Sequence, residues 1–362
     1  MGILIDGGIT IGGGITIDAE SSAPSFQFTT PALMNGSSAI ANMRSVAVNS
    51  SGLFVAVGYD DSTSYPLYAT SADGSTWTTP AIMNDSNIEA LMYSVTVNSS
   101  GLFVAVGYTG FGVYPLYATS ADGSTWTTPA QMNDSTGGAF MKSVTVNSSG
   151  LFVAVGYQYL NTRPLYATSA DGSTWTTPAP MNGTSYPSVI SSVTVNTSGL
   201  FVAVGNDIAD QAVYATSSDG FTWTTPATMV GFQRNAFPYS ITVNSSGLFV
   251  TVGTDGGDNS MYATSADGST WTTPAPMNGS ARLASMLSVA VNSSGLFVAV
   301  GYDDSGYPLY ATSTDGLSWT TPALMNDSSV LAPMYSVAVN SSGLFVAVGY
   351  DGSDYPLYAT GS

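Results

Sequence analysis

One motif recurs seven times along the chain, and this internal repetition constrains the fold more than any other feature. Each copy reads Ser-Val-(Ala/Thr)-Val-Asn-Ser-Ser-Gly-Leu-Phe-Val-Ala-Val-Gly with small substitutions. The copies begin at Ser45, Ser94, Ser143, Ser192, Ser240, Ser288 and Ser336, at spacings of 49, 49, 49, 48, 48 and 48 residues. A fixed period of this length is typical of solenoids and β-propellers, in which each repeat forms one supersecondary unit.

Four strand signals can be identified within each repeat. In the second repeat, residues 94–98 alternate and are β-branched, and residues 102–107 form an apolar run typical of a strand buried on both faces. Residues 115–120 predict a third strand. Residues 125–129 predict an outer fourth strand, which Pro129 ends because proline donates no backbone hydrogen bond. Four antiparallel strands per repeat predict a propeller blade.

The two ends of the repeat array are incomplete in complementary ways. The last repeat stops at residues 358–362, before its tryptophan strand, whereas residues 25–32 form a fourth strand with Phe28 at the tryptophan position. An open solenoid would need capping repeats, but joining these ends leaves no free sheet edge. The sequence therefore predicts an all-β, seven-bladed β-propeller over residues 23–362, made of four-stranded antiparallel blades and closed by the N-terminal strand. Residues 1–22 are predicted to form a separate glycine-rich β arm.

The composition argues against several function classes. The net charge is −18 and there are only five Lys and Arg residues, so nucleic acid is a poor partner. No run approaches the roughly 20 apolar residues of a membrane span, and residues 1–8 contain no basic region, so we expect no export signal there. The chain has neither Cys nor His, so we expect no metal, no cofactor and no catalytic residue. Acidic pairs such as Asp60/Asp61 and Asp303/Asp304 predict solvated loops, because they lack the spacing of a calcium loop.

A tight turn, Ser-Ala-Asp-Gly-Ser-Thr-Trp in its first copy, recurs between the third and fourth strands. Its Asp and Trp recur as Asp73/Trp77, Asp122/Trp126, Asp171/Trp175, Asp219/Trp223, Asp267/Trp271 and Asp315/Trp319. The turn resembles the Asp-box, or bacterial neuraminidase repeat, whose usual pattern Ser-x-Asp-x-Gly-x-Thr-Trp is one residue longer. The resemblance covers residues 25–362 and implies a propeller. Because six near-identical copies cannot form one active site, we expect each Asp to accept hydrogen bonds from its own turn and each Trp to pack between blades.

Sialidases share the Asp-box propeller, and that resemblance implies three clustered arginines, a Tyr/Glu pair and an acidic general acid/base. The cations Arg44, Lys142, Arg163, Arg234 and Arg282 instead fall in different connections of different blades. Glu20 and Glu89 are the only glutamates. We therefore predict that the chain is not an enzyme, with a sialidase-like carbohydrate-active enzyme or lectin as the alternative.

The repeats differ from one another mainly on one face of the predicted disc. Two turns are nearly identical in the repeats: Asn-Ser-Ser-Gly joins strands one and two, and Ala-Asp-Gly-Ser joins strands three and four. Both turns lie on one face of the disc. The variable connections therefore all lie on the opposite face, called here the variable face. It concentrates aromatic and cationic side chains that are ligand-binding candidates, namely Tyr59, Tyr108, Phe111, Tyr157, Tyr159, Arg163, Phe232, Arg234 and Arg282. Tyrosine rings stack on sugars, so a host-surface glycan is the expected ligand. The alternative is that these loops are only solvated and free to diverge.

The arm consists of short Ile-Thr-Ile triplets separated by glycines. We expect Ile9, Ile11, Ile15 and Ile17 to pair as strands with another virion protein or another copy of the chain. Gly-Ile-Thr-Ile arms resemble the N-termini of marine phage virion proteins, and the repeat resembles propellers of phage tails and bacterial surface proteins. These resemblances imply a phage-like structural protein on a virion surface or outside the cell, used for host attachment or decoration, with a cellular adhesin as a further alternative.

Overall fold

The computed structural model contains the predicted ring of seven four-stranded antiparallel sheets. It describes residues 9–11, 15–17, 26–36, 40–85, 88–110, 113–133, 138–182, 187–232, 235–277, 283–327 and 329–362. In six of the sheets the strands follow chain order from the axis outward, and we number these blades 1 to 6 from residue 42. Blade 7 takes three strands from the C-terminal end and its outermost strand from the N-terminal end.

The strands occupy equivalent positions in every blade. From blade 1 to blade 7, the innermost first strands span Asn42–Val48, Ala90–Val97, Ala139–Val146, Ser188–Val195, Phe237–Val243, Ala284–Val291 and Met334–Val339. The second strands span Phe54–Tyr59, Phe103–Thr109, Phe152–Gln158, Phe201–Asp207, Phe249–Thr254, Phe297–Asp303 and Phe345–Tyr350. The third strands span Pro66–Ser71, Pro115–Ser120, Pro164–Ser169, Ala212–Ser217, Ser260–Ser265, Pro308–Ser313 and Pro356–Gly361. The fourth strands span Ala81–Ile82, Ala130–Gln131, Ala179–Pro180, Ala227–Thr228, Ala275–Pro276, Ala323–Leu324 and, in blade 7, Ala32–Leu33.

Short 3-10 turns are the helical elements of the described residues. They follow a fourth strand at Met34–Gly36, Met83–Asp85 and Met325–Asp327. Within the described ranges, no helix has the length and hydrophobicity that crossing a membrane would require.

The fourth strand differs from the prediction. In blade 2, regular pairing begins after Pro129, at Ala130–Gln131, whereas the predicted segment 125–129 is joined to the third strand only by an isolated bridge between Ser120 and Trp126 and by single hydrogen bonds. The ladder cannot run through the segment because proline has no backbone N–H to donate. The first strand is also longer than predicted, beginning at Ala90.

Neighbouring blades share their hydrophobic cores. Between blades 1 and 2, Val55 and Val57 of one sheet pack with Met92, Phe103 and Trp126 of the next, all of them buried. Seven equivalent clusters surround the axis. This confirms that the Asp-box tryptophans pack between blades. Each blade therefore depends on its neighbour to bury its apolar face.

A ring of serines joins the innermost strands. The side-chain oxygen of Ser45 accepts the backbone N–H of Val95 in the next blade at 3.1 Å, and the same hydrogen bond recurs at each of the other six interfaces. The remaining bonds, between 3.1 and 3.3 Å, run from Val46 to Ser336, Val144 to Ser94, Val193 to Ser143, Ile241 to Ser192, Val289 to Ser240 and Val337 to Ser288. The bond from Val46 to Ser336 connects blade 1 to blade 7, so the ring closes at the axis.

The N-terminal strand closes the ring at its outer edge. Ala32 and Leu33 pair with Tyr358 and Leu357, and Phe28 forms a bridge with Gly361. Phe28 is 2% exposed and lies in the cluster between blades 6 and 7, where the other interfaces hold tryptophan. Its ring centroid lies 5.5 Å from that of Tyr310, just as each Asp-box tryptophan contacts a third-strand tyrosine of the preceding blade.

Replacing Phe28 with Ala should lower the free energy of unfolding by about 3–5 kcal/mol, because it leaves a cavity at the closing interface. Chemical denaturation with a fluorescence readout measures this loss. Deleting residues 23–31 should remove cooperative unfolding altogether. As the matched control, Phe28→Trp restores the residue type of the other six interfaces and should retain most of the stability. Unchanged melting after the deletion would show that the N-terminal strand is not the closing element.

The described part of the arm is a small hairpin. Ile9–Ile11 pairs antiparallel with Ile15–Ile17, in the register Ile9 to Ile17 and Ile11 to Ile15, as a separate two-stranded sheet. The two triplets therefore pair with each other, and their expected pairing with another virion protein or another copy of the chain is not tested by this contact. The two triplets are only a few residues apart, so joining them costs little loop-closure entropy. Attachment of the hairpin to a second protein stays a prediction.

Candidate functional site

The Asp-box carboxylates stabilise their own turns. In blade 2, the Asp122 side chain accepts the backbone N–H groups of Ser124 at 2.8 Å and Thr125 at 2.6 Å. The indole N–H of Trp126 donates to the carbonyl oxygen of Gly123 at 3.0 Å. Hydrogen bonds from the turn amides lower the pKa of Asp122 well below its ordinary value, and the same occurs in the other five Asp-boxes. These aspartates therefore stay ionised acceptors, as the sequence predicted.

Replacing Asp122 with Ala should cost about 1–2 kcal/mol of unfolding free energy at neutral pH, since two turn amides lose their acceptor. Asp122→Asn keeps one side-chain oxygen acceptor and should lose less. The lowered folded-state pKa means that the stabilisation is fully present above the unfolded value of about 4, and is lost as the pH falls through the folded value. The stability difference between wild type and Asp122→Asn should shrink over that acidic interval in denaturation curves. A constant difference across the interval would contradict this role.

On the opposite face, two repeat positions converge on the propeller axis. The first is the bulged residue of each innermost strand, directly before the serine that bonds to the next blade. From blade 1 to blade 7 this residue is Arg44, Tyr93, Lys142, Ser191, Tyr239, Leu287 and Tyr335. The second follows the glycine near the end of each second strand and is Tyr59, Tyr108, Tyr157, Asn206, Thr254, Tyr302 or Tyr350. Both positions lie at the strand ends that meet the variable connections. The repeats place large aromatic and cationic residues here mainly in blades 7, 1, 2 and 3.

Arg44 lies among four tyrosine rings. Its guanidinium donates a hydrogen bond to the Tyr59 hydroxyl at 2.7 Å. Its carbon Cζ lies 4.5 Å from the ring centroid of Tyr335, 5.1 Å from Tyr350 and 5.8 Å from Tyr93, within the range of cation–π contacts. Burial raises the pKa of Tyr59 to about 12, although the neighbouring guanidinium opposes the shift. The Tyr59 ring next to Arg44 is therefore neutral near pH 7.

Lys142 lies one blade interface further round. Its ammonium nitrogen is 3.9 Å from the ring centroid of Tyr93 and 5.4 Å from that of Tyr108. Burial, and secondarily the positive charge of Arg44, lower the pKa of Lys142 to about 8. The two cations thus lie on either side of Tyr93 and influence each other electrostatically.

The rings around the two cations form two groups that Arg44 joins, and together they are called here the aromatic arc. It comprises Tyr335, Tyr350, Tyr59, Tyr93, Tyr108, Phe140, Tyr157 and Tyr159. Tyr335 and Tyr350 are stacked at 4.8 Å, and Tyr93 and Tyr108 at 5.1 Å, with a hydrogen bond between the hydroxyls in each pair. Tyr59 is almost completely buried, whereas Tyr159, at the other end of the arc, is 57% exposed. The arc therefore offers stacking faces near a positively charged centre.

The structure brings together four of the predicted site residues, Tyr59, Tyr108, Tyr157 and Tyr159, within the arc. Arg163 is exposed in the connection after the second strand of blade 3. Phe232 is half-buried and packs against the core cluster between blades 4 and 5, away from the arc. Phe111, Arg234 and Arg282 lie outside the described residues.

The sequence-based assignment of all five cations to variable connections is wrong for two of them. Arg44 and Lys142 lie within the innermost strands of blades 1 and 3. The bulge after Met43 and after Met141 inserts an extra residue and directs these side chains toward their neighbours. Tyr93, Phe140, Tyr335 and Tyr350 were also missed as site residues. Aligning the repeats at the residue before Ser-Val would have revealed that this position varies far more than its neighbours.

The acidic pairs have a local role. The Asp60 carboxylate accepts the backbone N–H groups of Ser62 and Thr63, and Asp303 accepts those of Ser305 and Tyr307. A surface pocket of about 300 Å³ beside blade 6 is lined by residues including Asp258, Asp303 and Asp304. In the described part of the chain, no three acidic side chains lie close enough together to hold a metal ion.

Comparison with known families agrees with the Asp-box turns. Residues 49–252, more than half of the chain, match the BNR repeat-like domain. The chain belongs to this family. No curated protein matches this BNR repeat-like propeller.

Several solved propellers share the fold of this BNR repeat-like protein at low identity. The BP39L lectin from Burkholderia pseudomallei is 11% identical, with a TM-score of 0.68 over 89% of this chain and 96% of the lectin. A GH74 xyloglucanase from Xanthomonas campestris is 14% identical, with a TM-score of 0.58 over 92% of this chain and 55% of the enzyme. An ulvan lyase of family PL25 is 12% identical, with a TM-score of 0.55 over 89% of this chain and 94% of the lyase.

The prediction that the chain is not an enzyme is wrong. The propellers that share its fold include a glycoside hydrolase and a polysaccharide lyase. Lack of His and Cys does not by itself exclude catalysis, because carboxylates, tyrosine and lysine also transfer protons in active sites.

Proposed function

We propose that this BNR repeat-like propeller binds a carbohydrate at the aromatic arc on its variable face. The connected set of rings around Arg44 and Lys142 is the observation that carries the proposal. Tyrosine combines a flat apolar ring with a hydroxyl, so it contacts both the faces and the hydroxyl groups of a sugar. A lectin, a xyloglucanase and an ulvan lyase with the same fold add support.

The exposure of the rings suggests how a glycan would lie on the arc. Tyr159 is the most exposed member, and Tyr157 is half-buried beside it, with Phe140 contacting both rings at 4.9–5.5 Å. The centre, around Arg44, is more deeply buried. A chain of sugars would therefore stack on the rim in blade 3 and extend toward the cations at the axis.

Replacing Tyr157 and Tyr159 together with Ala should weaken glycan binding at least about tenfold, through the loss of two stacking surfaces. Calorimetry or surface binding against xyloglucan and ulvan, followed by a wider glycan array, measures the effect. Tyr302→Ala is the matched control, because Tyr302 has the same repeat position in blade 6 and makes no ring contact with the arc among the described residues. Equal losses in both variants, or no binding to any glycan by the wild type, would reject the site.

The same preparations can separate binding from turnover. Release of shorter oligosaccharides by the wild type, and its loss in the Tyr157/Tyr159 double variant, would indicate catalysis at the same face. Stable binding without release would indicate a lectin-like role. Both outcomes agree with carbohydrate binding at the arc.

We also propose that residues 1–22 attach the propeller to a larger assembly, such as a virion surface. Two strands of three residues each form an isolated two-stranded sheet in the structure. Such a hairpin is marginally stable by itself in water, and its outer edges can accept a further strand.

Removing residues 1–22 should leave a monomeric propeller with unchanged melting and an intact aromatic arc. If the arm joins copies of the chain, the full-length protein should form larger species in light scattering that the truncated protein does not form. If the arm joins another virion protein, the full-length and the truncated protein should behave alike when alone. Only the full-length protein should then form a complex when that virion protein is co-expressed. A truncated protein that still assembles in both experiments would contradict the attachment role.

A further inference from the structure

Arg44 and Lys142 are two cations without an acidic partner at the axis of a strongly acidic protein. The net charge is −18, yet neither cation forms an ion pair with a carboxylate of the described residues. Asp354 is influenced by Arg44, but the two form no ion pair. Neighbouring carboxylates could easily have neutralised these charges in a chain with 23 Asp and Glu residues. Their surroundings are instead aromatic and neutral.

Each cation also keeps hydrogen-bonding capacity that the protein does not use. The Nε of Arg44 is buried without an acceptor, and only one hydrogen bond of its guanidinium, to Tyr59, is formed with the described residues. The Lys142 ammonium lies over the Tyr93 ring and is half-buried. A desolvated cation with unmet donors is costly unless a bound group supplies the acceptors.

We infer that Arg44 and Lys142 bind the anionic group of an acidic glycan, a carboxylate or a sulfate, between the rings of the aromatic arc. The inference rests on carbohydrate binding at that arc and specifies its ligand class. A carboxylate or sulfate accepts several hydrogen bonds at once and pairs with guanidinium in a two-point geometry. The aromatic faces hold both cations in place without competing for them, because π contacts are weaker than ion pairs with an anion.

Binding should depend on pH through Lys142. The titratable groups that face its ammonium are Arg44, which stays charged, and Tyr93 and Tyr108, whose pKa values burial raises so that they stay neutral. With a pKa of about 8, Lys142 is protonated at lower pH and loses its charge as the pH rises through that value. Affinity for an anionic glycan should therefore fall across this interval, while affinity for a neutral one should stay constant.

Three polymers with one backbone test the inference directly, namely dextran, carboxymethyl dextran and dextran sulfate. The full-length protein should bind one or both charged polymers in a salt-dependent way and should bind dextran at least about tenfold more weakly. Lys142→Met and Arg44→Gln should each reduce binding of the charged polymers by about 10-fold to 100-fold. Preference for the carboxymethyl or the sulfate form identifies the anionic group.

Lys142→Arg is the matched control for the pH dependence. It keeps the positive charge but does not titrate below pH 12, so its binding should not decrease around pH 8 as that of the wild type does. Melting curves confirm that the variants are folded, and Lys142→Met should melt no lower than the wild type because it removes a desolvated charge. Equal binding of all three polymers, independent of salt and of both cations, would overturn the inference and leave carbohydrate binding intact. Failure to bind either charged polymer would also overturn it, whatever neutral glycans bind.

Discussion

The packing of each blade against the next is the interaction on which the rest of the structure depends. One sheet supplies a pair of valines such as Val55 and Val57, and its neighbour supplies a phenylalanine, a methionine and a tryptophan such as Trp126. No blade can bury its apolar surface alone, so the contacts between blades supply most of the hydrophobic stabilisation of the fold. A ring with seven such interfaces leaves no apolar end exposed, which explains why residues near both termini share blade 7.

The closed ring also separates structural residues from variable ones. The Asp-box turns and the serines of the innermost strands make the same hydrogen bonds in successive blades, so substitution there would disturb an interface. The side chain at the bulged position before each serine makes no hydrogen bond that is common to all seven blades. Its backbone is displaced from the ladder, and its side chain points toward the axis end of the variable face, where residues as different as Arg44, Ser191 and Leu287 fit. Specificity can therefore change there without cost to the fold.

The aromatic arc arises from this freedom. Aromatic or cationic residues occupy both variable positions in four adjacent blades, 7, 1, 2 and 3. In the remaining blades at least one of the two positions holds a smaller or aliphatic residue, such as Asn206, Thr254 or Leu287, although blades 5 and 6 also carry Tyr239 and Tyr302. The proposed site therefore lies on one side of a sevenfold scaffold. Two of the five cations of the chain lie within it, held by π faces and not by carboxylates. Burial of the Lys142 charge costs some stability, as its lowered pKa indicates. Because no carboxylate of the described residues pairs with either cation, both charges remain able to pair with the proposed anionic ligand.

The sequence alone determined the number of blades, their strand order, the role of the Asp-box aspartates and the position of Phe28 in the closing interface. These features are repeated or follow from chain order, and local hydrogen bonding and periodicity specify them. The tertiary structure decided that regular fourth-strand pairing begins after the proline, that Phe232 packs against a core cluster, and that Arg44, Tyr93 and Lys142 are neighbours. These three residues are 49 positions apart in turn, and only closing the ring brings successive bulges together at one axis. A bulge is a displacement of one residue in the pairing register, and pairing between strands is visible only once the strands are folded together.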